Sequence, residues 1–137
     1  YVLGDGELRK SLEERIRAYE LCGDFFLLGT VDNPYPFYKQ CDLYVHTARY
    51  EGKSIAVEEA QVLGCAIIAA EYAGAEEQIE NGVDGIVCKS DAEELAKEIQ
   101  YLANDPRKRG LLGQAAEKKL QVDNLKEVSK IVELLGE

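Results

Sequence analysis

The sequence is poor in several things that other classes of protein need. No apolar run approaches the ~18 residues of a membrane-spanning helix. No secretory signal is visible, and the chain opens without Met in the apolar run Tyr1-Val2-Leu3, so it reads as a piece of something longer. It has no C-x-x-C pair: Cys22, Cys41, Cys65 and Cys88 are widely spaced, and His46 is the sole histidine. Close ligand pairs mark most zinc sites, so no metal centre is expected. The cysteines read instead as small buried hydrophobes of a reducing cytoplasm. Basic residues are scarce as well. The 16 Lys and Arg stand against 26 Asp and Glu, a net charge of −10. That balance argues against a nucleic acid or an anionic membrane surface held by net charge. Repeats and low-complexity tracts are absent.

What is present suits one globular domain of 137 residues, with 46% apolar and 31% charged residues. Short β-rich runs alternate with helical patterns. The runs are Tyr1–Leu3, Phe25–Leu28, Leu43–Thr47, Ala66–Ala70 and Gly85–Cys88. The helical stretches include one with Leu8, Leu12, Ile16 and Tyr19 on one face, and one opening at Ser54 and closing at Gly64. From about residue 91 the chain reads as helical to its end, with caps at Ser90 or Asp91 and at Asp105-Pro106. Leu125, Val128, Val132 and Leu135 stripe a terminal helix. The alternation predicts an α/β fold: an open parallel sheet with helices on both faces. Residues 1–90 would hold the β-α units and the site, and 91–137 the C-terminal helices.

Ligands of open α/β sheets bind beyond the carboxyl ends of the strands. Three loops lie there: 4–7, 29–36 and 48–54. The third reads Arg49-Tyr50-Glu51-Gly52-Lys53-Ser54 before a helix. Gly52 permits close backbone approach or a positive φ. The amides of Lys53, Ser54 and Ile55 would stand free at a helix N-terminus, where the dipole favours phosphate. Glu51 precedes that anion site and would accept from sugar hydroxyls, while Glu59 would reach back toward the same crevice. The plainer reading is a helix capped by Ser54 with solvated acids around it. Asp32-Asn33-Pro34-Tyr35-Pro36 reads as a turn. Gly4-Asp5-Gly6 lacks the G-x-G-x-x-G fingerprint, because the third position is Arg9. His46, in an apolar strand, reads as a hydrogen-bonded core residue rather than a catalyst. No Ser-His-Asp or Cys-His motif is evident.

The segments in order resemble the C-terminal, nucleotide-sugar-binding domain of the family 4 glycosyltransferases, which have the two-domain GT-B fold. Gly4-Asp5-Gly6-Glu7-Leu8-Arg9 is similar to that family's G-x-G-x-L-(R/K) segment. Phe26-Leu27-Leu28-Gly29 and Cys41-Asp42-Leu43-Tyr44-Val45 resemble two of its strands. Glu51-Gly52-Lys53-Ser54-Ile55-Ala56-Val57-Glu58-Glu59-Ala60 looks like its E-x7-E motif. Gly74, the run from Glu77 to Gly82, and Gly85 follow in order. The resemblance covers about residues 1–105.

The resemblance implies a Rossmann-like, donor-binding half of a retaining hexosyltransferase. Glu51 would be the catalytic candidate, holding hydroxyls of the sugar. Gly52, Lys53, Ser54 and Ile55 would face the sugar and diphosphate, Glu59 the ribose, and Thr30 and Val31 the base. No metal or other cofactor is implied. The partners would be a nucleoside-diphosphate sugar and a glycan or lipid-linked acceptor, in a cytoplasmic enzyme peripheral to the inner face of the membrane. The Asn33-Pro34-Tyr35 turn and the Glu-Gly-Lys-Ser version look like members that build bacterial surface polysaccharides. The chain departs from the family at Thr47-Ala48, where Pro-Ser is usual, and at Ala66, where Pro is usual. The family's first β-α unit, with its diphosphate-clamping Arg and Lys, and its acceptor-binding domain are expected ahead of Tyr1. A fragment without them would be inactive alone and would leave a strand edge open to self-association. Two other readings are a non-catalytic binding module of the same fold and a sugar-nucleotide epimerase fragment.

Overall fold

The computed structural model describes residues 1–135, and of 122–135 the backbone alone. The chain forms two compact units, 1–36 and 37–137.

The first unit pairs β1 (Val2–Leu3) in parallel with β2 (Leu27–Gly29). Between them runs α1 (Arg9–Ala18). Arg9 ties this helix to its strand: Nη2 donates to the Leu27 carbonyl at 3.1 Å, and Nε donates to Glu13 at 3.0 Å. The expected apolar face is present in sequence but not sealed, for α1 buries none of its residues and Leu8 and Tyr19 stay largely exposed. A two-stranded sheet is too narrow to cover a helix face.

In the second unit β3 (Tyr44–His46), β4 (Ile67–Ala70) and β5 (Ile86–Cys88) pair in parallel, in that order. Tyr44 lies opposite Ile67, and Ile68 opposite Ile86. All of β4 is buried, as its unbroken apolar run predicts. Its side chains alternate. Ile67 and Ala69 pack with Val57 and Ala60 of α3 (Ile55–Val62), whereas Ile68 packs with Leu102 of α5 (Ala92–Asn104) and Leu112 of α6 (Pro106–Leu135). Helices therefore cover both faces of this sheet, and burying each isoleucine contributes about 2 kcal/mol.

The caps behave as their residue types predict. Asp91 accepts from the amides of Glu93 and Glu94 at 2.9 and 3.1 Å, and Asp105 accepts from Lys108 N at 2.8 Å. Gly64 closes α3 at φ +69°, a left-handed position that a Cβ would strain.

Some expectations are corrected. The segment read as a turn at 32–36 runs into α2 (Tyr35–Gln40), with Asn33 Oδ1 accepting from Tyr35 N at 3.1 Å. The second loop also yields α4 (Ala75–Gln78). Beyond Asp105 there is one helix rather than two, because no Gly or Pro interrupts 114–135. The side chains of the Leu125, Val128, Val132 and Leu135 stripe lie outside the described residues. All four cysteines are free thiols, but only Cys65 is buried. Cys22 and Cys41 are exposed and Cys88 is half-buried, so the reading of a buried set fails. Cys41 falls in the connection between α2 and β3, not in the sheet. Among the described residues no helix is long and apolar enough to cross a membrane.

Candidate functional site

The loop from β3 to α3 is built by short polar contacts. In β3, Tyr44 and His46 are two residues apart and so share a face of the strand. His46 is buried, with Nδ1 3.0 Å from the Tyr44 hydroxyl and Nε2 2.6 Å from Oε2 of Glu51. The edge of the imidazole meets the Tyr72 ring, with centroids 5.4 Å apart. Glu51 keeps 35% of its side chain exposed, so a ligand can reach it while His46 holds it. Burial, and then the nearby Glu51 charge, push the Tyr72 phenol up to about 12. Burial also raises Tyr44.

Gly52 does not take a positive φ; the close approach it was expected to allow occurs at Gly74. A Cβ on Gly74 would sit 1.7 Å from the Gly52 carbonyl oxygen. Lys53 forms an ion pair with Glu58. Ser54 occupies the N-cap position of α3, as expected, but its hydroxyl makes no cap bond. That hydroxyl is fully buried and, among the described residues, is the one buried side-chain oxygen or nitrogen without a partner. The Ser54 amide is not free either. It donates to Oε1 of Gln78 at 2.7 Å, and Nε2 of Gln78 donates back to the Ser54 carbonyl at 3.0 Å. Of three amides expected to face a ligand, one is thus engaged by a side chain that sequence reasoning did not single out. Tyr72 donates to the same Oε1 at 2.7 Å.

Ile55 opens α3 with its side chain 73% exposed. Glu59, half-buried on the next turn, accepts from the Tyr38 hydroxyl at 3.4 Å. Glu51, Gly52, Lys53, Ser54, Ile55 and Glu59 therefore belong to one unit. Thr30 and Val31 follow β2 directly in the other unit, where Thr30 is exposed and Val31 half-buried. Sequence reasoning missed Gln78, Tyr38, Tyr44 and Tyr72 and discounted His46. The period-two placement of Tyr44 and His46 was the one available signal. Among the described residues no three His, Cys, Asp or Glu side chains gather to hold a metal ion.

Known structures share this architecture. HepE of Anabaena in complex with UDP-glucose superposes at a TM-score of 0.80 and is 26% identical, over 96% of this chain and 39% of that one. The C-terminal domain of a group 1 glycosyl transferase from Francisella tularensis superposes at 0.76 and is 21% identical, over 85% of this chain and 62% of that one. The fold is that of the C-terminal domain of a GT-B glycosyltransferase.

The profile of the glycosyl transferases group 1 matches residues 1–119, and the chain belongs to that family. Among curated relatives, a Campylobacter jejuni α-1,4-N-acetyl-D-galactosaminyltransferase named for a diNAcBac-PP-undecaprenol-linked saccharide is 30% identical over 76% of this chain and 29% of its own length. The capsular polysaccharide biosynthesis glycosyltransferase CapM of Staphylococcus aureus is 29% identical over 88% of this chain and 32% of its own. The chain spans about a third of the length of these relatives.

Proposed function

We propose that the protein carrying this chain transfers a hexose from a nucleoside-diphosphate sugar to a glycan or lipid-linked acceptor, with retention at the anomeric carbon, in bacterial surface polysaccharide synthesis. This chain holds the sugar donor. Glu51 accepts from hydroxyls of the hexose. Gly52, Lys53, Ser54 and Ile55, at the positive end of the α3 dipole, receive the diphosphate, and the leaving group's growing charge is stabilised there. Glu59 takes the ribose hydroxyls, and Thr30 and Val31 the base. The helix terminus supplies positive potential without a metal, so none is assigned to the site. The enzyme works in the cytoplasm, peripheral to the inner face of the membrane.

The observation that carries this reading is Glu51, gripped by His46 at 2.6 Å immediately ahead of the N-terminus of α3. The unpartnered Ser54 hydroxyl at the same terminus supports it. So do the UDP and UDP-glucose complexes among the structural neighbours and the capsular role in the name of CapM.

The test is transfer by the full-length protein in the presence of EDTA. Glu51→Ala lowers turnover by about 100-fold while circular dichroism stays unchanged, and EDTA has no effect. Undiminished transfer by the variant overturns the role of Glu51, and loss of activity in EDTA overturns metal-free transfer.

A further inference from the structure

Three side chains outside the E-x7-E motif stand between its two acids. Tyr38 on α2 donates to Oε2 of Glu59 at 3.4 Å. The Tyr38 and Tyr44 rings meet edge to face with centroids 5.3 Å apart, and their hydroxyls are hydrogen-bonded to each other. Tyr44 meets His46 Nδ1 at 3.0 Å, and His46 Nε2 meets Glu51 at 2.6 Å. The polar atoms form one unbroken line from Glu59 to Glu51. Resting on the reading of this loop as a sugar-donor site, we infer that Tyr38, Tyr44 and His46 are positioning residues, a relay that locks Glu51 and Glu59 into one unit and so sets the sugar-holding acid through the nucleotide-holding one.

The hydrogen count argues for a relay rather than casual contacts. The line has four links and needs four hydrogens. Each phenol brings one, and keeps it, because burial raises both: Tyr38 to about 12, with the Glu59 charge adding to the effect, and Tyr44 likewise upward. His46 and Glu51 must hold the other two between them. With Tyr38 donating to Glu59, Tyr44 donates to Tyr38 and His46 Nδ1–H donates to Tyr44, which leaves a hydrogen between Nε2 and Glu51. The direction of every bond then depends on its neighbour. Removing one hydroxyl reorients the imidazole hydrogens at the far end, although no atom there is changed. Packing alone has no such reach. Phe at 38 or 44 keeps the aromatic volume and deletes only the link.

Calorimetry on the full-length protein, with UDP and UDP-glucose and their guanosine and adenosine counterparts as probes, tests the inference beside nitrogen-15 NMR of His46, identified by comparison with His46→Gln. Tyr44→Phe should weaken nucleotide-sugar binding about tenfold, the worth of one lost hydrogen bond to a charged group, while the nucleoside diphosphate alone binds within twofold. Tyr38→Phe should shift the His46 ring nitrogens with no ligand present. Equal losses for both ligands in Tyr44→Phe, or unmoved His46 signals in Tyr38→Phe, overturn the relay. Failure of the unsubstituted protein to bind any of the probes overturns the sugar-donor reading instead, and the ligand-free His46 signals then judge the relay on their own.

Discussion

Gln78 holds Ser54 by both of its backbone groups, accepting from its amide at 2.7 Å and donating to its carbonyl at 3.0 Å. The two residues are 24 positions apart, and both are buried. This clamp, not a capping hydroxyl, fixes where α3 begins.

Replacing Gln78 by Leu keeps the volume and removes the clamp. The Ser54 amide and carbonyl and the Tyr72 hydroxyl would all lose their partner in a buried setting. A buried polar group left without a bond costs about 1–3 kcal/mol. Gln78→Leu should therefore lower unfolding stability by about 3 kcal/mol or more, measured by urea denaturation.

Two glycines should respond in opposite ways to alanine. At Gly74 a Cβ would fall 1.7 Å from the Gly52 carbonyl oxygen, and backbone must move to admit it. Gly74→Ala should destabilise by about 3 kcal/mol or more and, under the function proposed above, weaken binding of the nucleotide sugar. Gly110, inside α6, has nothing within 4 Å of its Cβ position. Gly110→Ala should stabilise by about 0.5–1 kcal/mol. Thermal unfolding of the two variants side by side decides both.

The thiols of Cys41 and Cys65 lie 3.9 Å apart. The hydrogen bond from Cys65 lowers Cys41 to about 7, whereas that same bond and burial raise Cys65. Burial also raises Cys88. The thiolate is the reactive form, and a lowered value means its fraction grows as pH rises through 7. A brief iodoacetamide pulse should label Cys41 about tenfold more at pH 8 than at pH 6 and leave Cys65 and Cys88 unlabelled. Peptide mass spectrometry reads the result. Cys65→Ala removes the lowering bond and should move the rise in labelling to higher pH.

Much of the fold can be read along the chain because its causes are local. Ile67 to Ala70 form an unbroken apolar run between turn residues, and they become the fully buried β4. Asp91 and Asp105 precede helical patterns and cap them. Gly64 ends α3 where a left-handed residue is needed. The site is legible to the same depth: the loop before α3 carries Glu51 and Ser54, and the structure puts them at that helix terminus. Less legible are features whose causes lie across the fold. The exposure of Cys41, the open face of α1 and the engaged amide of Ser54 each depend on what arrives from a distant segment.

The amino-acid sequence alone determined the succession of strands and helices, because caps, breakers and apolar periodicity act within a turn or two of the chain. It also determined which chemical groups stand at the carboxyl end of β3. Tertiary structure decided their partners. Gln78 reaches Ser54 from α4, and Tyr38 reaches Glu59 from α2, 21 positions away. His46, a bland core residue by its neighbours in sequence, becomes the support of Glu51 because the loop folds back within 2.6 Å of it. A hydrogen bond is set by position in space and strengthened by burial, and neither is a property of one stretch of sequence.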